Sequence, residues 1–282
     1  MEWKKTENNT LTLPPVGLGT WQLNARNGFA EVISAAWETG YRLFDLAAAY
    51  SNEIAFRKAL AETGIRREEL LLSDKVWNTY RGCGAVREAC KASLHKLKTD
   101  YIDLYLVHWP ASPALHEDWR ELNADTWRGM ESLLDEGLVR HIGVCNFKPH
   151  HLEELKKTAR IMPAVNQFEF HPGYWQRENY DYCRAQGILM EGSSPLGTGE
   201  VLQNETLQRI AAAKGKSAAQ VCLRWANQKG VVVIPKTAHA ERLRENMDIF
   251  DFTLSDDEIR AIDAVPFCGG LADDADEVTR FG

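Results

Sequence analysis

No apolar run in this 282-residue chain approaches the ~18 residues of a membrane span, so no transmembrane helix is expected. The opening stretch, MEWKKTENNT, has no apolar core, so no secretory signal is expected either. Six cysteines (Cys83, Cys90, Cys145, Cys183, Cys222 and Cys268) form no CxxC pair. A chain this long has no need of disulfide staples, so they read as reduced thiols of a cytoplasmic protein. Basic tracts are missing too: 33 Lys and Arg against 40 Asp and Glu leave a formal charge of −7. That balance excludes the electrostatic footprint of a nucleic-acid binder. No linker, low-complexity tract or short-period repeat divides the chain. The expectation is one domain over residues 1–282, monomeric, with neither a membrane nor a nucleic acid as partner.

Several familiar chemistries fail here for want of one residue. GLGTWQ has Gly17 and Gly19 but Gln22 where a dinucleotide-binding fingerprint needs its third glycine. HEDWR opens like a zinc-protease helix, yet Arg120 stands where the second His belongs, and no strand end carries HxH. His150-His151 opens a helix and reads as surface, so no metal is expected. GSSPLGTG has the glycines of a phosphate loop but Thr198 in place of its lysine. Cys145 has no evident catalytic partner and reads as a lining residue rather than a nucleophile.

What is present is an alternation. The short apolar runs VGLGT, YRLFD, LLLSDK, YIDLYLVH, RHIGVCN, PAVNQF, GILMEGS and VVVIPK are separated by segments with helical periodicity. Many of these close on glycine, as at Gly40 and Gly215, which suits the residue just past a helix. Ser217 and Ser255 read as N-caps, the latter in a capping box with Glu258. Eight strands each followed by helical sequence predict an α/β fold, a (β/α)8 TIM barrel of roughly 250 residues. The segment before Val16, with Asn8-Asn9 between two short β-like pieces, predicts a small hairpin plugging the barrel floor. The C-terminal tail is short and acidic.

In such a barrel the active site lies at the C-terminal ends of the strands. The runs end in Asp45, Lys75, His108, Cys145-Asn146, Gln167, Ser193-Ser194 and Lys236. Each alone has an ordinary explanation, such as a capping Asp or a Lys reaching solvent; together they ring one rim. Tyr50 follows Asp45 by five residues. An ammonium beside that phenol would lower its pKa and let it exchange a proton with a carbonyl oxygen, which His108 could orient. Trp21, Trp77 and Trp109 would wall an apolar pocket there. Lys236, Thr237 and Arg242, near a helix start, would suit a phosphate ester.

These motifs resemble the aldo-keto reductases over nearly the whole chain. GLGTWQ, LFDLAAAYSNE, SDKVWN, YIDLYLVHWP, GVCNF, PAVNQFEFHP, SPLG, AAQVCLRWA and VVVIPKTAHAERLREN fall in the family's order and spacing. The resemblance implies NADP(H), bound without a separate nucleotide domain, and a small carbonyl substrate. It implies a tetrad in which Tyr50 is the general acid, Lys75 and its partner Asp45 tune it, and His108 orients the substrate. It assigns Asn146 and Gln167, beside Cys145, to the carboxamide. The ribose 2′-phosphate falls to Lys236, Thr237 and Arg242, the adenine to Glu245 and Asn246, and the pyrophosphate to the segment from Ser194 through Leu196 to Thr198. Gly19, Thr20 and Trp21 of the first turn join the cofactor set.

Three positions depart from the family's habit. Cys145 replaces a Ser, Ser193 replaces an aromatic ring expected to stack on the nicotinamide, and Leu46 replaces a Thr after Asp45. A short tail implies an open site, as in smaller bacterial members resembling diketogluconate reductases. If that acidic tail lies at the mouth it would disfavour anionic substrates. The implied activity is NADPH-dependent reduction of aldehydes and small ketones. The alternatives are an alcohol or steroid dehydrogenase using the same tetrad in reverse, and a redox-sensing regulatory subunit with little turnover.

Overall fold

The structure, a computed structural model, describes residues 3–6, 11–23, 28–277 and 279. Two short strands, β1 (Lys4–Lys5) and β2 (Thr12–Leu13), pair antiparallel. Eight strands then follow in one parallel sheet: β3 (Leu18–Gly19), β4 (Leu43–Asp45), β5 (Leu71–Val76), β6 (Ile102–Val107), β7 (Val139–Cys145), β8 (Val165–Glu169), β9 (Leu189–Ser193) and β10 (Val232–Val233). Each pairs with its neighbour in sequence. Val16, just ahead of β3, bridges in parallel to Val233, and the Gly17 N–H donates to the Val233 carbonyl at 2.8 Å. The last strand therefore meets the first, and the sheet closes into the expected barrel. The seam needs Gly19, because a Cβ there would lie 2.6 Å from the Ile234 carbonyl oxygen.

Helices fill the crossovers: α1 (Phe29–Thr39), α2 (Glu53–Thr63), α3 (Cys83–Leu97), α4 (Trp119–Asp135), α5 (Pro149–Lys156), α6 (Arg177–Ala185), then α7 (Glu205–Lys214) and α8 (Ala218–Gln228) before β10. After β10 come α9 (Ala240–Met247) and α10 (Asp256–Asp263). The expected caps form. Ser217 accepts the Gln220 N–H and Ser255 accepts the Glu258 N–H, both at 3.2 Å, and each partner side chain reaches back to the cap. Gly40 and Gly215 end their helices at φ 105° and 65°, where a Cβ would be strained.

Strand alternation sorts the apolar side chains into two cores. Phe44, Tyr105, Trp127, Phe168 and Trp225 fill the layer between sheet and helices. Leu43, Leu104, Leu106, Val165, Leu189 and Val232 point into the barrel, where Leu11 and Leu13 join them. The N-terminal pair of strands thus seals the floor with two leucines, each buried side chain contributing about 2 kcal/mol. The connecting Asn8-Asn9 lies outside the described residues.

Candidate active site

Two residues beyond Leu43, Val165 and Leu189, the inward positions become Asp45, Gln167 and Glu191. Lys75 reaches the same level from β5 and is fully buried. An ammonium in such a place requires a counter-charge and full hydrogen bonding. It has both: Lys75 Nζ donates to Asp45 Oδ1 at 2.7 Å, Asp45 Oδ2 at 2.6 Å and the Leu46 carbonyl at 2.8 Å. Leu46 thus serves through its backbone, while its side chain packs in the outer core. Asp45 is held in turn by Gln167, whose Nε2 donates to Oδ1 at 3.0 Å.

Tyr50 ends a short 3₁₀ turn, Ala48–Tyr50, that follows β4. Its ring centroid lies 5.3 Å from Lys75 Nζ and 5.8 Å from the His108 ring, edge-on to it. His108 directly follows β6, and Trp77 meets it edge-on at 5.2 Å. Asn146 directly follows β7 at φ 62°, a left-handed conformation that Asn tolerates better than most residues. Its amide nitrogen donates to the His108 carbonyl at 3.0 Å. One cavity of about 750 Å³ touches Tyr50, Asp45, His108, Asn146 and Gln167. Trp21, Trp77 and Trp109 form its aromatic wall, and Gly19, Thr20, Ser193, Ser194 and Lys236 complete the expected residues on its lining.

The electrostatics correct one expectation. Burial pushes the Tyr50 phenol up, and the pull of Lys75, the next largest effect, recovers only part of that, leaving it at about 12. The phenol is a firmly protonated donor, not an unusually acidic one. Burial, the largest single effect, works against the charge on Lys75, but Asp45, Tyr50 and Cys145 together outweigh it and hold the ammonium above its ordinary range. Burial, then Lys75, holds His108 well below its ordinary value, so the ring is neutral. Its Nδ1 has no hydrogen-bond partner among the described residues. Burial lifts the Cys145 thiol well above its usual value, which leaves no thiolate for a nucleophile.

Other expected site residues lie off the cavity lining. Cys145 sits within the barrel core, and Leu196 is half-buried against the outer core. Thr198 is exposed, at φ 54°. Thr237 is buried, its hydroxyl accepting the His239 N–H at 3.1 Å. On α9, Arg242 is exposed, Glu245 accepts the Ser217 hydroxyl at 2.5 Å, and Asn246 is buried. Exposed Lys236 and Arg242 form no ion pair among the described residues.

The tail reaches the site. Leu271 and Asp273 line the cavity. The N–H groups of Leu271 and Ala272 donate to the Glu169 carboxylate at 2.9 and 2.7 Å. Lys148 pairs with Asp274 and with Asp276, the latter at 2.8 Å, and His150 Nε2 meets Asp276 at 2.9 Å. His151, expected at the surface, is buried. Its Nδ1 accepts the Lys148 N–H at 3.1 Å, completing the start of α5. His150, His151 and Asp276 place potential ligand atoms within 4.8 Å of one another. Because His151 Nδ1 faces an N–H, its hydrogen sits on Nε2, which then offers no lone pair to a cation. The cluster reads as a clasp for the tail. Of the residues not foreseen by number, Glu191 had a visible signal, a carboxyl inside the apolar run ILMEGS, and Asp273 belongs to the acidic tail; Glu169 had none.

The sequence profile of the Aldo/keto reductase family matches residues 15–266. The chain belongs to that family. Among aldo-keto reductases it is 46% identical over 258 residues to the glyoxal reductase of Bacillus subtilis, covering 92% of this chain and 91% of that protein. An aldo/keto reductase from Brucella melitensis superposes with a TM-score of 0.85 at 39% identity, covering 93% of this chain and 98% of that one. A silkworm aldo-keto reductase solved with NADPH superposes with a TM-score of 0.86 at 32% identity, covering 94% of this chain and 88% of that one. Among the described residues no helix is long and apolar enough to cross a membrane.

Proposed function

We propose that this aldo-keto reductase uses NADPH to reduce aldehydes and small ketones, with Tyr50 as the general acid. The reading is carried by one observation: a fully buried Lys75–Asp45 pair beside Tyr50, with a neutral His108 facing the same cavity. The NADPH bound to the silkworm neighbour and the glyoxal reductase of Bacillus subtilis support the cofactor and the small-carbonyl class.

The residues present suit the cofactor. Gln167 Nε2 is occupied by two carboxyl groups and Asn146 Nδ2 by the His108 carbonyl, so both side chains keep an oxygen to accept from a carboxamide. Lys236 and Arg242, exposed and without ion pairs among the described residues, offer charge to a 2′-phosphate; Thr237 lies beside them. Gly19, Thr20 and Trp21 would border the bound molecule, and Ser194, Leu196 and Thr198 would follow its pyrophosphate. Glu245 and Asn246 would meet the adenine, and Ser193 and Cys145 would flank the ring. When bound, NADPH supplies the hydride.

The protein's own part is placement and proton control. His108 donates a hydrogen bond to the carbonyl oxygen and sets its direction. Tyr50 gives its phenolic proton to that oxygen as negative charge develops there, because an alkoxide is a much stronger base than a phenolate. Lys75, locked by Asp45, stabilises the phenolate that results. The tryptophans Trp21, Trp77 and Trp109 keep the pocket apolar around this exchange.

The test is nicotinamide absorbance with NADPH, then NADH, against aldehydes, ketones and keto acids. Turnover of aldehydes with NADPH is expected. Arg242→Ala should weaken NADPH far more than NADH. Equal losses for the two would remove the 2′-phosphate assignment, and no turnover with any carbonyl would favour the regulatory alternative.

A further inference from the structure

Glu191 has no part in the reaction as described, yet it is fully buried in the barrel interior. On β9 it stands in register with Gln167 on one side and Val232 on the other. Its Oε2 accepts from Gln167 Nε2 at 2.6 Å, and its Oε1 has no partner among the described residues. The same Gln167 nitrogen donates to Asp45 Oδ1 at 3.0 Å. A primary amide has two N–H donors and one carbonyl oxygen. Here the nitrogen donates to two carboxyl groups, and a flipped amide would set its oxygen against the Asp45 carboxylate. Only one orientation is compatible, and it leaves Gln167 Oε1 for the cavity that the residue lines.

We propose that Glu191 is a positioning residue: it pins the second N–H of Gln167, so that the amide oxygen stands fixed toward the cavity to accept the N–H of a bound primary carboxamide. The carboxamide rests on the nicotinamide reading given above; the pinning does not. Asp45 alone tethers the amide at one point and leaves it free to pivot. The charged and titratable groups facing Glu191 are Asp45 from β4, Lys75 from β5 and Cys145 from β7. Burial first, and Asp45 next, push the Glu191 carboxyl up to about 8. In its acid form it accepts through its carbonyl without placing a second negative charge beside the Lys75–Asp45 pair. A glutamine carbonyl could do the same.

The test compares Glu191→Met, Glu191→Gln, Gln167→Ala and the Glu191→Met/Gln167→Ala double variant of the full chain. NADPH dissociation constants come from tryptophan fluorescence, kcat and KM from turnover, and solvent exchange of the Gln167 side-chain N–H pair from NMR without cofactor. Glu191→Met should weaken NADPH about tenfold, since it strands a buried donor. Its KM for NADPH should rise with little change in kcat. Glu191→Gln should recover the affinity to within about threefold on the same grounds. In the Gln167→Ala background, Glu191→Met should cost nothing further, which a general loss of packing would not reproduce. In the cofactor-free protein, one Gln167 N–H should exchange faster in Glu191→Met than in the parent. Unchanged exchange, or equal losses with and without Gln167, would overturn the proposal. Failure of the parent to bind NADPH would remove the nicotinamide reading, while the exchange result would still decide whether Glu191 pins the amide.

Discussion

At Tyr50 two opposed forces meet: a desolvated phenol resists ionising, and the adjacent Lys75 ammonium favours it. Burial is the larger, so the side chain waits as a protonated donor, and the ammonium acts mainly after the proton has gone. Lys75 and Asp45 also bear on stability, because each is buried and each depends on the other. Lys75→Met should leave Asp45 unpaired and cost roughly 3–5 kcal/mol in urea unfolding. The double variant Lys75→Met/Asp45→Leu should regain most of that while remaining inactive. A double variant no more stable than the single would mean that the pair is not what the cost measures. The net direction of the Tyr50 shift was not legible in the sequence. Adjacency to a lysine could be read from strand ends, but the depth of burial against which it competes could not.

At the scale of elements, strand ends were readable because parallel strands run apolar until they leave the core. The first polar inward residue therefore marks the rim. That logic found Asp45, Lys75, His108, Asn146, Gln167 and Lys236. It passed over Glu191, which lies inside its run rather than at its end. The docking of the tail on Glu169 and Lys148 was illegible for a different reason: the partners are more than a hundred residues apart, and no periodicity links them. His151 was misplaced because a helix start ordinarily faces water, whereas this one lies beneath the tail. The tail brings Asp273 to the cavity, so its carboxylate should repel anionic substrates. Asp273→Asn should raise kcat/KM for a keto acid several-fold relative to a neutral aldehyde, with the aldehyde's own value little changed. Equal effects on both substrates would show that Asp273 shapes the mouth without selecting by charge.

For the whole molecule, a second buried acid lies outside the barrel's interior. Asp74 neighbours Lys75 on β5 but is fully buried, close to the Lys75 backbone N–H and the Ser93 hydroxyl. Burial first, and Glu53 next, raise its carboxyl to about 7. In the unfolded chain it titrates at about 4. Between those values the folded protein binds more protons than the unfolded one, so stability falls as pH rises and levels off above the folded value. Asp74→Asn should flatten that part of the profile between about pH 4 and pH 7, as read from urea midpoints. An identical slope in the variant would assign the pH dependence elsewhere. The central claim is that the Tyr50 hydroxyl delivers the proton within an otherwise complete cofactor site. Its most direct test is Tyr50→Phe, with single-turnover oxidation of NADPH by an aldehyde measured beside NADPH affinity on the same preparation. The account predicts a fall in rate of about a hundredfold or more with affinity nearly intact; a variant that turns over at the parent's rate would contradict it.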